Sequence, residues 1–268
     1  MPRAIWSGSI SFGLVNVPVK LYSAISPKDV RFNQLEEGTG ARIRQKRVSA
    51  ETGEEVPYER IVKGYEISPE RYVIITPEEL EALDPKATRA IDIEDFVEYD
   101  QIDPVHYERP YYLVPEKGAA KAYALLLQAM KDSNKVAIAR LVLRTKQYLA
   151  AIRPKGDILC LETMLFADEV VPESELDGLP GDDVEVSERE LKMARQLIES
   201  LSTDFEPEKY QDEYREQVLA LIEAKAEGAE IVARPASEEP AQVVDLMAAL
   251  EASLAAARAG KEKEKEGG

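Results

Sequence analysis

The chain has one cysteine and one histidine in 268 residues. A single thiol rules out an internal disulfide and any cysteine-cluster metal site. Cys160 lies in the apolar run ILCLETML. It reads as a small buried apolar side chain, and a lone free thiol fits a reducing cytoplasm. His106, in DPVHYERPYY, has no second histidine or cysteine with which to form a triad or a zinc site. Long apolar runs are missing too. None approaches the roughly 20 residues of a membrane span, and MPRAIWSGSI carries no apolar signal core. No GxSxG, HExxH or GxGxxG occurs, and Gly38-Thr39-Gly40 lacks the trailing Lys-Ser/Thr and helix of a phosphate loop. The expectation is a cytoplasmic, non-enzymatic protein with no cofactor, no metal and no membrane partner. The enzymatic reading left open is a divalent-metal nuclease using Asp92, Glu94 and Asp95 of IDIEDF, against a plainly solvated acidic face.

Positive charge is also scarce: 34 Lys+Arg against 51 Asp+Glu, for a net charge of −17. Such a balance argues against nucleic acid until its distribution is read. Residues 1–35 carry Arg3, Lys20, Lys28 and Arg31 against Asp29 alone. ARIRQKR, residues 41–47, holds Arg42, Arg44, Lys46 and Arg47 and no acid. Residues 133–156 hold Lys135, Arg140, Arg144, Lys146, Arg153 and Lys155, again with no acid. The acidity therefore lies outside these windows. If the windows meet in space, they form a positive groove in a body that repels polyanions elsewhere.

Read as strands, 41–48 would project Arg42, Arg44 and Lys46 from one face at a spacing of roughly 6.6 Å, with Arg47 opposite. Arg140, Arg144 and Lys146 likewise share one phase, with Leu141 and Leu143 on the other. Like charges on one face repel unless a polyanion neutralises them. The bland alternative is a solvated hairpin with Glu54, Glu55 and Glu59 opposite the cations. Neither basic segment interleaves aromatics, which favours backbone contact with a duplex over single-strand stacking. A scaffold whose basic strands bind an acidic protein partner is the competing reading.

The remaining pattern predicts many strands and a helical end. RAIWSGSISFGLVNVPVKLYSA alternates, then changes phase at Val15, which reads as one strand with a bend near Asn16–Pro18. Further strands are expected at 41–48, 56–66, 71–76, 89–98, 110–114, 135–145, 147–153 and 157–166, and helices at 77–83 and 117–131. Ser187-Glu188-Arg189-Glu190 is a capping box ahead of a helix, and a second helix runs from about Pro207 to Lys225. Residues 229–240 read as a linker. AQVVDLMAALEASLAAARAG follows as a tethered amphipathic helix, with Val243, Val244, Leu246, Met247, Leu250 and Leu254 as anchors for a partner's groove. KEKEKEGG reads as an unstructured charged tail.

AIWSGSISFGLVNVPVKLYSA, RIRQKRV, IVKGYE, IDIEDFV, DPVHYERPYYLVPE, KVAIARLVLRTKQYLAAIRP, LETMLFADEV, DEYRE and VVDLMAALEASLAAA run in collinear order through almost the whole chain. In these stretches the sequence closely resembles the bacterial Ku proteins of non-homologous end joining. The resemblance implies a mainly β, α+β fold: an antiparallel β-barrel core over 1–186 with an extended strand bridge at about 40–66. A helical arm follows at 187–228, then the linker 229–240, a partner-binding helix at 241–258 and a charged tail at 259–268. It further implies a ring-forming homodimer that threads onto double-stranded DNA ends without sequence preference. The partner implied is the ATP-dependent DNA ligase D, with the nucleoid as the place of action. Carried residue by residue, it assigns DNA contact to Arg42, Arg44, Lys46, Arg47, Lys63, Arg140, Arg144, Lys146, Arg153 and Lys155. Many relatives carry a Cys-x-x-Cys pair in the bridge turn, where this chain has Ser49 and Thr52. Many also end in a long lysine-rich tail, where this chain has the short, near-neutral KEKEKEGG.

Overall fold

A computed structural model describes residues 2–83, 89–143, 146–181, 184–228 and 246–266. The chain divides into two compact units. One comprises Met1–Lys28 and Asn33–Glu175, the other Asp29–Phe32 and Leu176–Gly268.

The first unit is built on a closed barrel of seven strands. In chain order they are β1 (Trp6–Phe12), β2 (Val15–Ser23), β5 (Ala90–Glu98), β6 (Tyr107–Pro115), β7 (Lys135–Leu143), β8 (Lys146–Lys155) and β9 (Ile158–Met164). Around the barrel the order is β1-β2-β6-β9-β8-β7-β5. Every pairing is antiparallel except β1 with β5, which closes the cylinder in parallel. The remaining two strands, β3 (Lys63–Ser68) and β4 (Arg71–Ile75), form a separate antiparallel hairpin. Helix α1 (Pro77–Leu83) follows it.

Alternation explains the barrel's interior. Ile10, Val17, Val19, Leu21, Ile91, Leu113, Ala139, Leu141, Ala150, Ile152, Leu159 and Leu161 are almost wholly buried and form one cluster. Ridding this much apolar surface of water is the main stabilising term of the unit. Helix α2 (Ala120–Ser133) closes one end. Its Tyr123, Leu126, Leu127 and Met130 join the same cluster. The Tyr123 hydroxyl donates to the Leu113 carbonyl at 2.6 Å and accepts from the Leu159 amide at 2.7 Å, tying α2 across β6 and β9. Burial pushes that phenol's pKa up. Asn134, in the left-handed region at φ 53°, ends α2 and turns the chain into β7. Cys160 is 1% exposed, in keeping with its reading as a core side chain.

Three sequence expectations change. The phase flip at Val15 is not a bend within one strand. Phe12 pairs with Val15, so Gly13 and Leu14 form a two-residue hairpin loop with Gly13 at φ 58°. Segment 41–48 is no strand, and of 56–66 only the end from Lys63 joins one. Third, the helix of the C-terminal segment runs Leu246–Glu266, through the lysine–glutamate repeat expected to be an unstructured tail.

The second unit contains α3 (Glu188–Leu201), α4 (Glu213–Ala226) and α5 (Leu246–Glu266). The capping box ahead of α3 forms as its sequence predicts. Ser187 Oγ accepts from the Glu190 amide, and the Glu190 carboxylate accepts from the Ser187 amide at 2.8 Å. The Ser187 hydroxyl also donates to that carboxylate at 2.5 Å, and this bond, with the one from the Ser187 amide, holds the Glu190 carboxyl below its ordinary pKa.

Candidate nucleic-acid interface

The acid-free run 41–47 lies in an extended, irregular ribbon on the surface of the first unit. Two isolated bridges, Leu35 with Arg42 and Val48 with Glu55, pin its ends. Ile43 and Arg47 add single backbone bonds beside these bridges, but among the described residues no continuous ladder runs between them, and that is why the alternation of ARIRQKRV produces no strand. The turn beyond Val48 is held by side chains. Ser49 Oγ accepts from the Glu51 and Thr52 amides, and Thr52 Oγ1 accepts from the Glu54 amide. Two hydroxyl residues thus set the turn at the positions where the family resemblance puts cysteines.

The four cations of this ribbon are held loosely. Arg42 donates to the Asn33 side-chain oxygen at 2.8 Å, a neutral partner that leaves its charge uncompensated. Arg47 lies 5.2 Å from the Tyr58 ring centroid, a cation–π contact. The Arg44 side chain has no hydrogen bond or ion pair with any described residue. Lys46 alone meets an acid, Glu55, at 2.5 Å with both side chains more than half exposed. Lys63, exposed at the start of β3, is also without a partner among the described residues.

The cations of the barrel wall are held differently. Arg153 reaches Glu162 through two nitrogens, with Nη2 at 2.6 Å and Nε at 3.2 Å. Its side chain is 23% exposed and that of Glu162 11%. The Glu162 bonds raise the Arg153 pKa against the opposing effect of burial. Arg140 Nε lies 3.1 Å from Glu94 Oε1. Glu94 is the extra residue of a bulge between Ile93 and Asp95, and the bulge carries its carboxylate to Arg140. Lys146 Nζ is 3.8 Å from Glu169. Lys155 sits over the Tyr112 ring at 5.6 Å, with its Nζ 3.4 Å from that hydroxyl. Windows that are free of acids in sequence therefore acquire them from other strands and from the turn after β9.

The register also corrects the shared phase of Arg140 and Lys146. Arg140 pairs with Leu149, whereas Lys146 pairs with Leu143. Cross-strand partners lie on one face. Lys146 therefore takes the barrel-interior phase of Leu141 and Leu143, at the rim, and Arg140 takes the outer phase. The strand break after Leu143 reverses the count that a continuous strand would have kept. Arg144 lies outside the described residues.

In the second unit α5 packs along α3. Leu254 is 9% exposed, Met247 and Leu250 are half-buried, and Leu246 is 62% exposed. Arg189 of α3 meets Glu251 of α5 at 3.5 Å. The helix expected to be a tethered module thus lays part of its apolar stripe on its own unit. Val243 and Val244 lie outside the described residues. Asp92, Glu94 and Asp95 do not converge: among the described residues no group of three or more His, Cys, Asp or Glu could hold a metal ion. No helix among them is long and apolar enough to cross a membrane.

The family model of the Ku70/Ku80 beta-barrel domain matches residues 11–193. This chain belongs to the Ku family. The non-homologous end joining protein Ku of Anaeromyxobacter sp. (strain K) is 57% identical over 259 residues, 96% of this chain and 87% of that protein. The protein of that name from Desulfitobacterium hafniense is 47% identical over 94% of this chain and 87% of its own length. That from Heliobacterium modesticaldum is 44% identical over 98% and 95%. The matched region runs from the last residues of β1 through β9 into α3, and it also spans the loosely held ribbon.

Proposed function

We propose that this Ku-family chain binds the ends of double-stranded DNA without sequence preference, as a homodimer closing a ring around the duplex. Its work is adaptation rather than catalysis, in non-homologous end joining at the nucleoid. The observation that carries the reading is the ribbon: four cations in seven residues, one paired with an acid, in a chain of net charge −17. Arg42, Arg44 and Arg47, with Lys63, are the principal phosphate contacts. Lys46 joins them by exchanging Glu55 for a phosphate. Arg140 and Lys146 add a weaker field, because acids already engage them; Lys155, which meets only the neutral Tyr112 ring and hydroxyl, keeps its charge and adds to the contacts. Arg153 is assigned to structure, since its charge is spent on Glu162. Contact through phosphates is indifferent to sequence, and it makes affinity fall steeply with salt. The exposed start of α5, at Leu246, supplies the surface for the ATP-dependent ligase D.

The test is binding to linear and to covalently closed circular duplex of one sequence. Binding to the linear form with little to the circle supports an end-threading ring; equal binding to both rejects it.

A further inference from the structure

Among the described residues, the end of the barrel opposite α2 holds a cavity of about 320 Å³. It is lined by Ile5, Trp6, Ser23, Ile25, Arg109, Pro110, Tyr111, Leu143 and Tyr148, and most of these are there by strand phase. Trp6 continues the interior row of Gly8 and Ile10, Ser23 that of Leu21, Tyr111 that of Leu113, and Tyr148 that of Ala150. Gly8 makes the cavity's shape possible. A Cβ at that position would lie 2.2 Å from the Trp6 ring and 2.3 Å from the Arg89 carbonyl oxygen. The indole therefore folds back over Gly8 and leaves the mouth unfilled.

The chemistry of the mouth is specific. Three aromatic rings, Trp6, Tyr111 and Tyr148, surround it, and among the described residues no carboxylate lines it in a chain with 51 acids. Arg109 is exposed and has no partner among the described residues. Lys146 stands at the rim, 5.1 Å from the Tyr148 ring centroid. Aromatic faces stack planar bases, and an unpaired guanidinium takes a phosphate. The volume suits a small planar ligand.

We propose that this end of the barrel binds one unpaired nucleotide, its base among Trp6, Tyr111 and Tyr148 and its phosphate on Arg109. Two sources share that chemistry: a free mononucleotide and the unpaired end of a DNA strand. The second source rests on the DNA-end reading above; the first does not.

Trp6 is the sole tryptophan, so emission from the full chain reports on this cavity alone. The probes are 5′-deoxyadenosine monophosphate, a blunt duplex and the same duplex with a short single-stranded overhang. Saturable quenching by the mononucleotide is expected. The overhang duplex should quench as well and bind roughly fivefold to tenfold tighter than the blunt one. Arg109→Gln should remove the quenching and the overhang's advantage while leaving blunt-duplex affinity and the unfolding midpoint unchanged. Quenching by the mononucleotide with no preference for the overhang assigns the site to free nucleotides. Unchanged emission with both the mononucleotide and the overhang overturns the inference, even if blunt duplex binds. Quenching by the mononucleotide without any duplex binding removes the DNA-end reading and leaves the cavity's assignment standing.

Discussion

The ribbon at 41–47 and the wall formed by β7, β8 and β9 both carry cations without acids nearby in sequence, yet they hold them in opposite ways. In the wall, Arg140 meets Glu94, Lys146 meets Glu169 and Arg153 meets Glu162. In the ribbon only Lys46 meets an acid. A sheet gives each residue neighbours on two flanking strands, so a wall cation finds a carboxylate across the ladder. A ribbon pinned by isolated bridges has such a neighbour only beside a bridge, where Glu55 meets Lys46. Charge density in sequence is therefore a poor guide to available charge. What matters is whether the surrounding fold has already neutralised it.

The largest effect expected from this contrast is on the ribbon. Replacing Arg42, Arg44 and Arg47 together by Glu should weaken duplex binding on the order of a thousandfold at moderate salt, because three phosphate contacts become repulsions. Thermal unfolding should stay put, since none of the three supports a core. An affinity loss below tenfold in a gel-shift titration would take the ribbon out of the interface.

The wall should answer in stability. Glu162→Ala leaves the half-buried Arg153 guanidinium without its partner and should cost about 3 kcal/mol in a denaturant titration. Gly8→Ala drives a Cβ against both the Trp6 ring and the Arg89 carbonyl oxygen and should cost about 3 kcal/mol, with a shift in tryptophan emission. An unfolding midpoint unchanged by Glu162→Ala would mean that Arg153 is as free as Arg44.

The smallest effects come from releasing single cations. Glu55→Gln frees Lys46 and should raise duplex affinity about twofold to fivefold at low salt. Glu94→Gln should change stability by less than about 1 kcal/mol, as expected for an exposed pair. A larger gain in affinity from Glu94→Gln than from Glu55→Gln would reverse the ranking of wall and ribbon.

Much of the barrel was legible in the sequence, because burial on one face leaves an alternation such as Val17, Val19, Leu21 that a strand must follow. The start of α3 was legible for a similar reason, since Ser187 and Glu190 satisfy each other's backbone locally. What misled was equally physical. ARIRQKRV has a strand's alternation but no neighbour to pair with. The phase flip at Val15 is a turn, and the pairing of Leu143 with Lys146 likewise resets the face count in a way that composition does not announce. The acids that neutralise the wall come from β5, β9 and the segment after β9; Glu94 and Glu169 lie far in sequence from Arg140 and Lys146, and Glu162 faces Arg153 across a hairpin. The cavity at the barrel mouth was invisible for the same reason. Trp6, Arg109, Tyr111 and Tyr148 come from three strands and converge only when the barrel closes.

The central claim is that the ribbon, not the wall, supplies the phosphate contacts. The slope of log affinity against log salt tests it most directly, because each phosphate neutralised contributes about −0.9. For the variant with Arg42, Arg44 and Arg47 changed to Gln, the slope should become shallower by roughly 2 to 3. For Arg140→Gln it should stay within about 0.5 of the unmodified chain. A full loss of slope from Arg140→Gln, with the ribbon variant unchanged, would contradict the account.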